Sequence, residues 1–310
     1  MAGLSGIATQ VLPLYGVILL GWLVGARATW APRLFSAVLV YGLIPLLVID
    51  KVGRADLAQI AVIPPIMFAV AAAMGLPARW LARRLGDEFD PRLLSASFSF
   101  FNVAFFGIPV TTALFGEAEV STIICAYIGS ALYGDTIGYY LVARTKEGAA
   151  KAASQALRVP LFPAFVLAVI LKLNGFETPA ALEPAASALG TAVSVLGMAV
   201  IGLNLATVKA GDVEPRLLAR IVLVRQASAV ALIAAALGLE AAVLGVLDRQ
   251  DRTIVGLVAL FPIAANVTLF ASLLDTKKKE AATLVALSSV VSLVLVAATV
   301  LAFGEALSGG

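Results

Sequence analysis

The chain contains no histidine, a single cysteine and few charges. Without histidine there is no imidazole general base, no His metal ligand and no His-based pH switch. A zinc protease of the H-E-x-x-H kind and a serine protease with a histidine base are excluded on the same ground. The lone cysteine, Cys125, lies in an apolar run, so no disulfide forms within the chain and the residue reads as packing. An aspartyl intramembrane protease needs two carboxylates on partner helices, and Asp135 is the one clear acid in the middle of an apolar segment. The chain is therefore not expected to be an enzyme.

What it has instead is apolar length. Of 310 residues, 61% are hydrophobic and 13% charged, with mean hydropathy +1.01. Stretches of about 20 apolar residues point to a polytopic membrane protein. Ten spans are expected, roughly 7–26, 34–52, 57–80, 93–116, 119–143, 157–174, 185–208, 217–239, 253–274 and 280–303. They form a single membrane domain over 1–310. No basic leader or small-residue cleavage site precedes the first, so Gly6 to Gly25 is expected to be a retained span. The longest polar connectors are Arg79 to Arg92 and Arg144 to Arg158.

Sixteen of the 22 Lys and Arg residues fall in the connectors after spans 1, 3, 5, 7 and 9. Cytoplasmic loops are enriched in these residues, so the odd connectors are expected in the cytoplasm and both termini outside it. The charges sit in short loops and the net charge is only +3, which leaves no nucleic-acid surface. The expected setting is the plasma membrane, the inner membrane of a bacterium. With five spans in each half, the second half enters the bilayer from the opposite side. Repeat 1 covers about 1–150 and repeat 2 about 151–310. Val11-Leu12-Pro13-Leu14-Tyr15 is echoed by Val159-Pro160-Leu161-Phe162-Pro163, and Gly53-Arg54-Ala55-Asp56 by Ala210-Gly211-Asp212.

The fourth span of each half is interrupted. Span 4 reads Phe101-Asn102-Val103-Ala104-Phe105-Phe106-Gly107-Ile108-Pro109, and span 9 reads Phe261-Pro262-Ile263-Ala264-Ala265-Asn266. Proline removes a donor and clashes with the preceding turn, and glycine weakens a helix further. A break at Gly107-Ile108-Pro109 is expected to free carbonyls around Phe105. Freed backbone inside a bilayer must line a protected cavity, and matched interruptions point to a transporter's binding site. Half-helix N-termini there carry partial positive charge and free N–H groups, which suits a carboxylate. The substrate-binding set is then Asn102, Gly107, Ile108, Pro109, Pro262 and Asn266. For span 4 alone, the rival reading is a plain proline kink with Asn102 bonded to a neighbouring helix.

Asp135, in Tyr133-Gly134-Asp135-Thr136-Ile137-Gly138, is costly at mid-span, about 2.5–3.5 kcal/mol on insertion scales. It reads as a proton carrier or cation ligand, or else as a protonated acid bonded between helices. Arg225 is the basic residue farthest inside a span and is placed toward the cytoplasmic face, away from Asp135. Gly134 and Gly138 favour close packing. Gly21-Trp22-Leu23-Val24-Gly25 serves either internal packing or a homodimer. Asn204 and Gln226 read as interhelical hydrogen bonds. Thr111, Thr112, Thr268 and Ser272 flank the breaks.

At span 4 the spacing Asn102-x-x-x-x-Gly107-Ile108-Pro109 resembles the crossover motif of the auxin efflux carrier family. The opening PLYGVILLGWLVGARATWAPRLFSAVLVYGLIPLLVIDKV and the closing ALFPIAANVTLFASLLDTKKKEAATLVALSSVVSLVLVAATV resemble that family's first two and last two spans. The resemblance implies an all-α membrane protein of ten transmembrane helices. These form two inverted five-helix repeats with crossing broken helices 4 and 9, an architecture shared with bile-acid sodium symporter-like proteins. It implies an elevator-type transporter of small organic anions such as auxin, malate or malonate, with Asn102 and Pro109 at the first crossover and Pro262 at the second. The long loop of many plant members between spans 5 and 6 is absent. No cofactor is expected, and coupling to H⁺, coupling to Na⁺ and uniport all stay open. The partners expected are the anion and the bilayer, with no nucleic acid.

Overall fold

A computed structural model describes residues 2–308, except 26, 29, 149, 152–153, 155–159, 177 and 207–213. Ala210-Gly211-Asp212 and Val159, two of the echoing positions, lie outside the described residues. The described residues are helical almost throughout. The helices are α1 (Ala2–Gly25), α2 (Ala31–Arg54), α3 (Leu57–Glu88), α4 (Pro91–Ser99), α5 (Val103–Phe115), α6 (Glu117–Leu141), α7 (Leu161–Leu173), α8 (Ala180–Leu205), α9 (Pro215–Val243), α10 (Arg249–Leu257), α11 (Asn266–Leu274) and α12 (Lys278–Ser308). Six of them, α2, α3, α6, α8, α9 and α12, are long and apolar enough to cross a membrane. The other four expected spans fall on α1, on α7, and on the two broken pairs α4–α5 and α10–α11.

Starts and stops follow local chemistry. Asp56 and Gln59 form a reciprocal cap at the start of α3. Asp90 accepts the N–H groups of Arg92 and Leu93, with Pro91 at the first position of α4. Asp248 accepts the Asp251 N–H at the start of α10. So both broken spans begin with an aspartate cap. The segment from Arg79, expected as a polar connector, is instead helical as far as Leu85. Arginine is a good helix former, and Arg83 and Arg84 in the last turn complement the helix dipole.

Small residues set the packing. A methyl group on Gly21 would lie 2.6 Å from the Ala199 carbonyl of α8, and one on Gly202 would run into the Ile18 backbone. The Gly21 and Gly25 stripe therefore packs α1 on α8 within the chain. In the same way Gly129 of α6 meets Pro64 of α3. The helix contacts include α1 with α8, α2 with α7, α3 with α6, and α9 with α12. Three widened π-helical turns interrupt the α pattern, at Leu39–Leu43, Val103–Gly107 and Tyr133–Gly138.

Candidate functional site

The two broken spans touch at their breaks. After α4 the chain is extended at Phe100, and Asn102 opens α5. After α10 a short 3-10 turn ends at Leu260, and Phe261 is extended, as a residue before proline prefers. The two extended pieces pair antiparallel across Phe101 and Ile263. The Asn102 N–H donates to the Pro262 carbonyl at 2.9 Å, and the Ala264 N–H to the Phe100 carbonyl at 3.1 Å. The Ile263 N–H donates to Ser288 Oγ of α12 at 3.1 Å. These bonds satisfy part of the backbone freed by the breaks inside the protein.

The first break is not where the proline stands. The helix opens at Phe100–Asn102, and Pro109 lies inside continuous α5. A widened turn absorbs it: the Gly107 N–H reaches back to the Asn102 carbonyl and the Ile108 N–H to that of Val103. This i→i−5 spacing relieves the clash between a proline ring and the carbonyl four residues earlier. Asn102 caps the new helix, its side-chain oxygen accepting the Phe105 N–H at 3.2 Å.

At the crossing lies a cavity of about 50 Å³ that gathers Asn102, Asn266 and Asp135, with Tyr127 and Ser130 beside them. Ala104 and Phe105 from the first turn of α5 line it, as do Ala265 and Asn266 at the start of α11. Two helix N-termini, each beginning at an asparagine, therefore look into one space. Gly107, Ile108, Pro109 and Pro262 are outside the lining and buried behind it. Gly107 is packed so closely on the Phe261 ring that a methyl group would overlap it. Asp135 is half-buried, in the widened turn of α6. Gly134 and Gly138 seat the ring of Phe100. Thr112 and Thr268 bond backbone carbonyls of their own turns, at Ile108 and Ala265, and Thr111 is buried. None of these three lines the cavity, and the Ser272 side chain is outside what is described.

Arg225 stands against the crossover, in contact with Phe261 and Phe101. It is 0% exposed, the largest fully buried side chain. Its Nη1 donates to the Phe261 carbonyl at 2.6 Å, and the guanidinium lies 4.6 Å from the centre of the Phe101 ring. Gln226 donates to the Ala259 carbonyl. Together they hold the carbonyl end of α10. Arg225 Nε and Nη2 have no protein partner, and no carboxylate pairs with Arg225 among the described residues. A buried cation ordinarily has an anion. The signal for it was present, an arginine well inside a long apolar helix, but a sequence gives neither its depth nor its face.

The arrangement is a small, mostly apolar space with two asparagine amides, two helix N-termini and the Asp135 carboxyl, and a buried guanidinium stands behind one aromatic wall. Amide donors and helix N-termini of this kind favour negative charge. No curated protein matches the chain closely enough to be named as a relative. The model of a family described as membrane transport protein matches residues 6–300. The chain belongs to that family of membrane transporters, the auxin efflux carriers.

Proposed function

We propose that the protein is a secondary or facilitative carrier of small organic anions, carboxylates of the auxin, malate or malonate class, working by elevator-type alternating access. The observation that carries this is the meeting of two asparagine-led helix N-termini on one cavity. In the mechanism, Asn102 and Asn266 amides donate to the carboxylate, and the two helix ends and Arg225 stabilise its charge. The cavity has room for only a few waters. Its walls must part to admit a dicarboxylate, which accords with a cycle of moving bundles.

Ten spans in two inverted repeats fit the packing. Span 1 lies on span 7 and span 6 on span 2, while span 3 lies on span 5 and span 8 on span 10. Each pair maps onto the other when the halves are exchanged. Asp135, in the same cavity, is the group to carry a coupling proton. A broken helix also offers carbonyl oxygens to Na⁺. Here the Phe261 and Ala259 carbonyls already accept from Arg225 and Gln226. A fixed cation in that position weighs against sodium and favours uniport or proton coupling. The odd connectors, with their excess of Lys and Arg, face the cytoplasm of the plasma membrane in this reading.

Counterflow in proteoliposomes tests it. The intact protein should give saturable exchange of labelled malonate or auxin-like carboxylates, lost in Asn102→Ala protein that still folds. Unsaturable flux without counterflow would make the protein a channel and end the carrier reading.

A further inference from the structure

Beside the crossover is a second and larger cavity, about 260 Å³, between α4 and the helical segment Tyr139–Glu147 that continues α6. Its lining runs from exposed to buried. Arg79, Arg92 and Arg144 are exposed and stand at the mouth; Ser99, Tyr133 and Phe100 are buried and form the depth. Arg92 is paired with Asp90 at 2.8 Å. Arg144 lies over the Tyr140 ring at 5.6 Å. Three arginine side chains thus line one opening, one of them already paired with an aspartate. At the far end Ser99, 1% exposed, has a hydroxyl with no hydrogen-bond partner. A buried hydroxyl left unmatched is destabilising, and a ligand that reaches it removes that penalty.

The floor is a single ring. Phe100 lines this cavity and the crossover cavity alike. It is held in a slot: a methyl group on Gly134 or Gly138 would stand 2.6 or 2.9 Å from its ring, and Phe270 meets it edge-on at 5.1 Å between centres.

We propose that the arginine-lined cavity is an anion-binding antechamber. It takes a small carboxylate from water, with Ser99 donating to it at depth, and Phe100 separates it from the crossover site. The identity of the carboxylate rests on the carrier reading above; the existence of an anion site here does not. The same oxyanion chemistry could come from an anionic lipid headgroup. The volume, the buried hydroxyl and the shared wall with the crossover favour a small soluble acid.

The test uses the full chain with Cys125→Ser and Ser99→Cys, in nanodiscs of phosphatidylcholine alone. A negatively charged thiosulfonate reagent should react with the new thiol at least roughly tenfold faster than a positively charged one of similar size, because like arginines concentrate anions. Malonate should slow the reaction. Arg79→Gln combined with Arg144→Gln should remove both the preference and the protection. Equal rates for the two reagents, or no protection by malonate, overturn the proposal. Should Ser99→Cys fail to fold, Ser95→Cys on the same wall carries the same measurement. Repeating it with phosphatidylglycerol in the disc separates the two sources. If that lipid slows labelling and malonate does not, the occupant is a headgroup and the antechamber is refuted. Asn102→Ala should abolish counterflow and leave the charge preference at Ser99→Cys intact, so the two readings fail separately.

Discussion

The α4–α5 and α10–α11 pairs are broken where they touch, but they are held by different means. The first break is held largely from within. Asn102 caps its own helix, Pro109 is absorbed by a widened turn, and the wall on that side is made from the chain's own next residues. The second break is clamped from outside. Arg225 and Gln226 of α9 take its carbonyl oxygens, and Ser288 of α12 takes the Ile263 N–H. Each has a proline, yet only Pro262 stands in the gap. A break that caps itself can keep its geometry while its neighbours move. A break clamped by two other helices must move with them, so α9, α11 and α12 are tied into one body with the crossover.

Four experiments break or sharpen this contrast. Large effects are expected at the clamp and at the self-made cap. Arg225→Met should cut anion uptake by tenfold or more, the loss of roughly 1.4 kcal/mol or more of stabilisation of the bound anion. Its unfolding temperature should fall little. The orphaned Phe261 carbonyl costs about 1–3 kcal/mol, and removing an unpaired buried charge offsets much of that. A large fall in unfolding temperature with uptake intact would make Arg225 merely structural. Next comes the self-made cap. Asn102→Ala should abolish uptake and lose about 1 kcal/mol of stability with the cap. Asn266→Ala should weaken binding with a smaller loss of stability, read from melting curves and uptake KM. Third, Asp135→Asn should leave transport without pH dependence, measured as uptake across a pH series; an unaltered profile removes Asp135 from coupling. The smallest effect on transport is expected at the back of the clamp. Ser288→Ala leaves the Ile263 N–H without its partner and should cost about 1–3 kcal/mol, with the substrate KM unchanged.

Much of this was legible from residue types. The apolar runs marked the helices, and two interruptions with proline and asparagine marked the crossing and two of its polar groups. Asp135 was legible because a mid-span acid is expensive wherever it faces. The exact gap in span 4 was not, since a proline records a missing donor and not the register that accommodates it. Phe100 gave no sign either: its place between Gly134 and Gly138 is a contact between elements far apart in sequence. The partners of Arg225 were not legible, because its neighbours at Phe101 and Phe261 come from two other elements. The Arg79–Leu85 segment looked like a loop by charge, yet its arginines favour helix where they finish one.

Val40 and Ile44, Ala104 and Phe105, and Asp135 sit in or next to the three π-helical turns, and all of them face the crossover void. A bulge of this kind stores one surplus residue. Expelling it would shorten the rod by about 1.5 Å and rotate everything beyond by about 100°, with a ladder of hydrogen bonds on either side. Three struts around one chamber therefore carry their own means of adjusting length and aim, and the chamber can be retuned without any of them coming apart.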